Sequence, residues 1–151
     1  MTVFEKGNIS IHTENIFPII KKSLYTDHEI FLRELISNAV DALSNLKMAS
    51  LAGEVSCNVP EPEITITVDK TDKSLSITDN GIGMNTEEIK KYINQVAFSS
   101  AEEFVKKYEK DANEIIGHFG LGFYSAFMVS KKVEIDTLSY KEDSKPIHWS
   151  C

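Results

Sequence analysis

Four side chains able to accept, coordinate or move protons fall on one line of a helix-period segment: Glu34, Asn38, Asp41 and Asn45, spaced +4, +3 and +4. At 100° per residue they form a stripe about 60° wide. The apolar residues Phe31, Leu32, Leu35, Ile36, Ala39, Val40, Ala42, Leu43 and Leu46 cover roughly half the circumference of the same segment, and the stripe borders that arc instead of standing opposite it. Arg33, Ser37, Ser44 and Lys47 take the outward arc. Two carboxylates and two carboxamides are therefore expected half-buried at the edge of a core. Such groups are costly without partners, which a ligand, a metal ion or ordered water would supply. A solvated flank with nothing bound has the same periodicity.

Two turns add to this stripe. In Ile77-Thr78-Asp79-Asn80-Gly81-Ile82-Gly83-Met84 an acid ends a strand-like segment and two glycines precede a helix. Glycine permits conformations and close approaches that a Cβ resists, and a carboxylate at a rigid strand end can accept a hydrogen bond from an exocyclic amine such as the N6 amine of adenine. An ordinary strand-to-helix turn, with the Asp bonded to its own backbone, uses the same residues. In Gly117-His118-Phe119-Gly120-Leu121-Gly122 a glycine-rich turn opens a second helix, and exposed N–H groups there favour anions such as phosphate. No Gly-Lys-Ser/Thr follows, so this is not a P-loop, and its glycine order is the reverse of the dinucleotide fingerprint. His118 reads as a turn residue, and His12, His28 and His148 form no ligand cluster with it.

These residues need elements to hold them. Thr26-Asp27-His28-Glu29 has the form of a capping box, which predicts a helix from near Asp27 to a stop at Gly53. Before it, Thr13 to Tyr25 is apolar at helical spacing, with Pro18 expected to kink it or delay its start. From Glu63 the period becomes two: Ile64, Ile66 and Val68 alternate with Thr65 and Thr67, and Asp69 to Asp72 turns the chain into Leu75 and Ile77, a β-hairpin. Capping boxes at Asn85-x-x-Glu88 and Ser100-x-x-Glu103 each open an amphipathic helix. The apolar run Phe123 to Val129 and the alternating Val133 to Leu138 complete the pattern. Together these elements predict an α+β fold, with helices covering one face of a largely antiparallel sheet.

The chain's 151 residues, 42% apolar, suffice for one domain with its own core. Its formal charge of −7 disfavours a protein whose main task is gripping a nucleic-acid backbone. No stretch approaches the ~20 apolar residues of a membrane span, and the first fifteen residues lack a signal-peptide layout. The expectation is a soluble protein that stays in the cytoplasm. Cys57 and Cys151 form no CxxC and no Cys/His cluster, which fits reduced, unligated thiols.

Read in order, Phe31-Leu32-Arg33-Glu34-Leu35-Ile36-Ser37-Asn38-Ala39, then Asp79 to Met84, then Gly117 to Ser125 resemble the N-terminal ATP-binding domain of the ninety-kilodalton heat-shock chaperones, most of all the bacterial branch. The resemblance runs through essentially all 151 residues. It implies the ATP-site fold shared with gyrase, histidine kinases and MutL, a two-layer sandwich with helices over a mixed, largely antiparallel sheet. It also implies roles. Asp79 would accept the adenine amine, Gly83 and Met84 would line the base pocket, and Thr78 would stand near waters bound there. Asn38 would hold Mg²⁺ through its side-chain oxygen, with Asp41 and Ala42 further along that wall, and Glu34 would act as general base on the attacking water. The backbone at Gly117, Gly120, Gly122 and Phe123 would cradle the phosphates, and the segment from about Gln95 to Gly117 would form a lid.

The resemblance further implies ATP or ADP with Mg²⁺ as ligands, unfolded client proteins and a homodimer of the longer protein as partners, and no nucleic acid or membrane. Family domains continue past the equivalent of Cys151 into further strands and then middle and dimerisation domains. Residues 1–151 are therefore expected to be an incomplete N-terminal domain, binding nucleotide more firmly than it turns it over. The pattern departs from the family at Phe98, where many members have Lys, and at Tyr92 and Asn45, where others often have Asn and Lys. Gyrase- and MutL-type ATPases are the rival enzymes, and a module that holds nucleotide without hydrolysis is the rival of another class. A histidine kinase fits less well, because Glu34 suits the activation of water that a kinase must exclude.

Overall fold

The computed structural model describes residue 6 and residues 29–55, 58–91, 123 and 125–151. Its longest element is helix α1 (Ile30–Leu51). Ala39, Leu46 and Ala49 are its most buried apolar side chains, on one side of the cylinder, and Leu46 is almost fully enclosed. The helix ends where glycine allows it to. Gly53 adopts φ +73°, its N–H reaches the Ser50 carbonyl at 3.1 Å, and the Glu54 N–H reaches Ala49 at 2.9 Å, which together close a Schellman motif. At the other end the described helix begins at Ile30, three residues later than expected. Glu29 is the N-cap without a side-chain cap, and its carbonyl accepts from Leu32 and Arg33. Thr26, the other half of the expected box, lies outside the described residues.

Strands β1 (Ile64–Asp69) and β2 (Ser74–Asp79) form the expected hairpin, in antiparallel register from Ile64 opposite Asp79 to Asp69 opposite Ser74. Asp69 Oδ1 accepts from the N–H groups of Thr71 and Asp72 at 2.8 and 3.0 Å, and Lys73 at φ 52° completes the reversal. The register puts Ile64, Ile66, Val68, Leu75, Ile77 and Asp79 on one face and the Thr/Ser pairs on the other. β2 is the strand that packs on α1.

A short helix α2 (Thr86–Ile89) starts at a complete capping box. The Glu88 N–H donates to Asn85 Oδ1, and the Asn85 N–H to Glu88 Oε2, both at 2.9 Å. Within the apolar run from Phe123, the described helical turn is α3 (Ala126–Val129). Strand β3 (Glu134–Thr137) is the alternating segment read from sequence, and its antiparallel partner β4 (Ile147–Ser150) was not anticipated. Reciprocal bonds between Val133 and Cys151 extend that ladder by one pair. Trp149 of β4 stacks edge-on against Phe123 and Phe127, with ring centroids 5.8 and 6.4 Å away. The described strands form two separate antiparallel ladders, with no parallel pair among the described residues. Among the described residues no helix is long and apolar enough to cross a membrane, and Cys151 is a free, exposed thiol.

Candidate functional site

The two ladders meet at the loop that follows β2. Asp79 Oδ1 accepts from the Gly81 N–H at 2.9 Å, so the strand-end acid first orders its own turn. Among the described residues its Oδ2 has no donor. Asn80 faces the hairpin: its amide NH₂ donates to the Glu61 carbonyl at 2.8 Å and its Oδ1 accepts from the Glu63 N–H at 2.9 Å, which holds the chain entering β1. Gly81 is buried against α1, and a Cβ there would lie 2.5 Å from the Ala42 carbonyl carbon. That closeness lets the Ile82 N–H bond to the Ala42 carbonyl oxygen at 3.0 Å. On the opposite flank the Ile82 carbonyl accepts from the Tyr140 N–H at 3.0 Å, and the Met84 N–H donates to Thr137 Oγ1 at 3.0 Å. Gly83 sits between these bonds at φ +65°, where a Cβ would collide with the Leu138 carbonyl. The two glycines thus serve two close approaches, one to the helix and one to the end of β3.

Glu88, just beyond the loop, uses both carboxylate oxygens: Oε2 caps α2, and Oε1 pairs with Lys141 from the β3–β4 connection. Burial pushes the Glu88 carboxyl up, and the Lys141 hydrogen bond, the Asn85 N–H and the Lys141 charge more than reverse it, so it titrates below the ordinary glutamate range.

The polar stripe on α1 is less uniform than its spacing predicted. Glu34 is buried, 9% exposed, and that burial raises its carboxyl above the ordinary value, with the Arg33 charge pulling the other way. Asn38, Asp41 and Asn45 are exposed instead of half-buried. Among the described residues the β2 loop packs on α1 at Ala42, on the core side of the stripe. Ala42 itself is half-buried.

Of the expected base-pocket residues, Asp79, Gly83 and Met84 belong to one pinned turn, and Ala42 of α1 is bonded to it. Thr78 pairs with Thr65 on the opposite face of the hairpin from Asp79 and is exposed. Phe123 is buried in the aromatic group with Phe127 and Trp149. Gly117, Gly120 and Gly122, the expected lid, Phe98 and the Ser100 box lie outside the described residues. Among the described residues no cluster of three or more His, Cys, Asp or Glu could by itself hold a metal. The Asn38 side-chain oxygen is a donor of the hard type that suits Mg²⁺. Thr137, Asn80 and the Lys141–Glu88 pair escaped the sequence reading. Their partners lie 17 to 53 residues away, and periodicity carries no signal for contacts at that separation.

The sequence profile of the histidine kinase-, DNA gyrase B- and HSP90-like ATPases matches residues 25–151, and the chain belongs to that family. It is similar to proteins called chaperone protein HtpG: 54% identical over 147 residues to that of Porphyromonas gingivalis strain W83, 58% over 147 residues to that of Bacteroides thetaiotaomicron, and 46% over 149 residues to that of Borreliella afzelii. These alignments take in 97%, 97% and 96% of this chain and 22%, 21% and 24% of the relatives. The chain therefore spans between a fifth and a quarter of the length of the curated relatives it matches.

Proposed function

We propose that the chain is the N-terminal nucleotide-binding domain of an ATP-driven chaperone that acts on unfolded or partly folded proteins. The observation that carries this reading is Asp79. One carboxylate oxygen is committed to the Gly81 N–H and the other has no donor among the described residues, on a loop bonded to α1 on one side and to the β3 segment on the other. A carboxylate so fixed is a specific acceptor for an exocyclic amine, because accepting it costs little further ordering.

The remaining roles are those that the resemblance to the family implies. Gly83 and Met84 would line the base. Asn38, one turn before Ala42, and Asp41, the residue before it, are exposed and would face the phosphates, with Asn38 holding Mg²⁺ by its carboxamide oxygen. The metal would neutralise phosphate charge and polarise the transferred group. Glu34, one turn before Asn38, would orient a water and take its proton on a carboxylate oxygen. Its raised pKa suits that task, since a base that binds a proton too weakly removes one poorly. Gly117, Gly120, Gly122 and Phe123 would supply backbone N–H groups to the phosphates. A two-layer helix-over-sheet sandwich, a homodimer of the longer protein, a cytoplasmic location, and the lack of a nucleic-acid or membrane partner belong to the same proposal.

Calorimetric titration of the 151-residue chain with ADP and Mg²⁺, beside Asp79→Asn, tests it. One-site binding that the variant weakens by roughly 10- to 100-fold is the expected outcome. A cooperatively folded wild type that gives no heat defeats the reading. Turnover is a separate matter: equal, background-level ATP hydrolysis by wild type and Glu34→Ala makes the chain a holder of nucleotide and not an enzyme.

A further inference from the structure

From Gly81 to Met84 the base loop is tied at four points among the described residues, and the ties differ in kind. Gly81 N–H is held by Asp79, the candidate binding residue itself, and Ile82 is held in both directions by main-chain atoms of Ala42 and Tyr140. Among the described residues, only the Met84 end depends on a side chain that belongs to neither the loop nor the polar stripe, the hydroxyl of Thr137 across 53 residues of sequence. We infer that Thr137 is a positioning residue of the candidate nucleotide site, whose hydroxyl holds the Met84 end of the base loop at the distance from Asp79 that binding requires.

Three observations support the assignment. Thr137 is the last residue of β3, paired with Ile147 of β4, so its backbone is fixed by a ladder independent of the loop. Its β-branched side chain has restricted χ1 freedom on a strand, so the oxygen it presents is fixed as well. The contact is also part-buried, which leaves the Met84 N–H dependent on that acceptor. Gly83, between the two anchored ends, has φ +65° and no side chain, so nothing within the loop would keep Met84 in place once the hydroxyl is gone.

This inference rests on the nucleotide reading above, and the test separates the two. ADP affinity is measured with Mg²⁺ for wild type, Thr137→Val and Thr137→Ser, together with thermal unfolding by circular dichroism and exchange of the Met84 amide in the nucleotide-free chain. Valine keeps the branched shape and lacks the acceptor, whereas serine keeps the acceptor. Thr137→Val is expected to bind ADP about tenfold more weakly, with a nearly unchanged unfolding midpoint and faster Met84 exchange, and Thr137→Ser is expected to recover most of the affinity and the protection. Unaltered affinity in Thr137→Val, equal weakness in the two variants, or loss of cooperative folding in Thr137→Val with its affinity overturns the assignment. A wild type that binds no ADP removes the nucleotide reading and this proposal with it. Met84 exchange that still separates the two variants then shows that the tie exists and that its binding role was the error.

Discussion

The loop from Asp79 to Met84 is fixed through its backbone, whereas Glu34, Asn38 and Asp41 project from a helix whose formation does not depend on them. On the loop, Gly81, Ile82 and Met84 are each held by an atom outside the turn or by the Asp79 carboxylate. Of the polar stripe on α1, Glu34 alone is buried and the next two members are exposed. One half of the candidate site is thus inseparable from the fold, and the other is a set of side chains mounted on a finished element. Substitutions at the loop's glycines should cost stability and binding together. Those on the helix should cost chemistry without loss of stability.

The largest expected effect breaks the loop. Gly83→Ala forces a Cβ into the Leu138 carbonyl at a left-handed φ, and should lower stability by about 2–3 kcal/mol and abolish ADP binding, read by denaturant unfolding and titration. Gly53→Ala is the control, because Gly53 has a similar φ of +73° and nothing within 4 Å of its Cβ position. It should cost only the backbone term of about 1–2 kcal/mol and leave binding intact. If the two variants lose equal stability, the close approach at Leu138 does not matter.

Next comes Asp79→Asn, which keeps the shape and the Gly81 bond but exchanges a charged acceptor for an amide. ADP affinity should fall by roughly 10- to 100-fold, as expected for a hydrogen bond to a charged group, with a much smaller change in unfolding midpoint. A fall in stability as large as that of Gly83→Ala would place Asp79 in the fold and not in recognition.

On the helix, Glu34→Gln should leave ADP affinity near wild type and remove hydrolysis above background. Its stability has a definite pH dependence. Burial raises the native carboxyl above its unfolded value, so the native state holds its proton to higher pH. Wild type therefore loses stability as pH climbs from the ordinary glutamate range through the raised native value, and Glu34→Gln does not. The variant should be the more stable of the two at neutral pH and lose that advantage in acid, read as unfolding midpoints against pH. A variant less stable than wild type at neutral pH contradicts the burial account.

Lys141→Met should have the smallest effect. It removes the ion pair with Glu88, in which the lysine side chain is 58% exposed, and such pairs contribute about 0–1 kcal/mol. Because Lys141 and the Asn85 N–H hold the Glu88 pKa down, wild type should lose this contribution as pH falls through that lowered value, and the variant should show less of the loss.

The sequence was legible where the cause is local. Asp69 turning the hairpin, Asn85 and Glu88 capping α2, and Gly53 ending α1 each act within a few residues, and each was read correctly. The line of Glu34, Asn38 and Asp41 was also correct in angle. Its burial was not, because exposure depends on which neighbour packs beside the helix, and the β2 loop packs at Ala42 instead. Strand β4 was missed because four residues after Pro146 give too short an alternation to stand out. The reasons for the two glycines of the loop became visible only with their distant partners, Ala42 and Leu138, in place.

The central claim is that the fixed Asp79 carboxylate recognises an exocyclic amine. The most direct measurement compares ADP with inosine diphosphate, which carries a carbonyl oxygen where ADP carries the amine, by titration of the wild-type chain in the presence of Mg²⁺. The account predicts saturable ADP binding and at least ~10-fold weaker binding of inosine diphosphate, because two acceptors would then face each other at a site built for a donor. Equal affinity for the two nucleotides would contradict it, and would shift recognition from the loop to the phosphates.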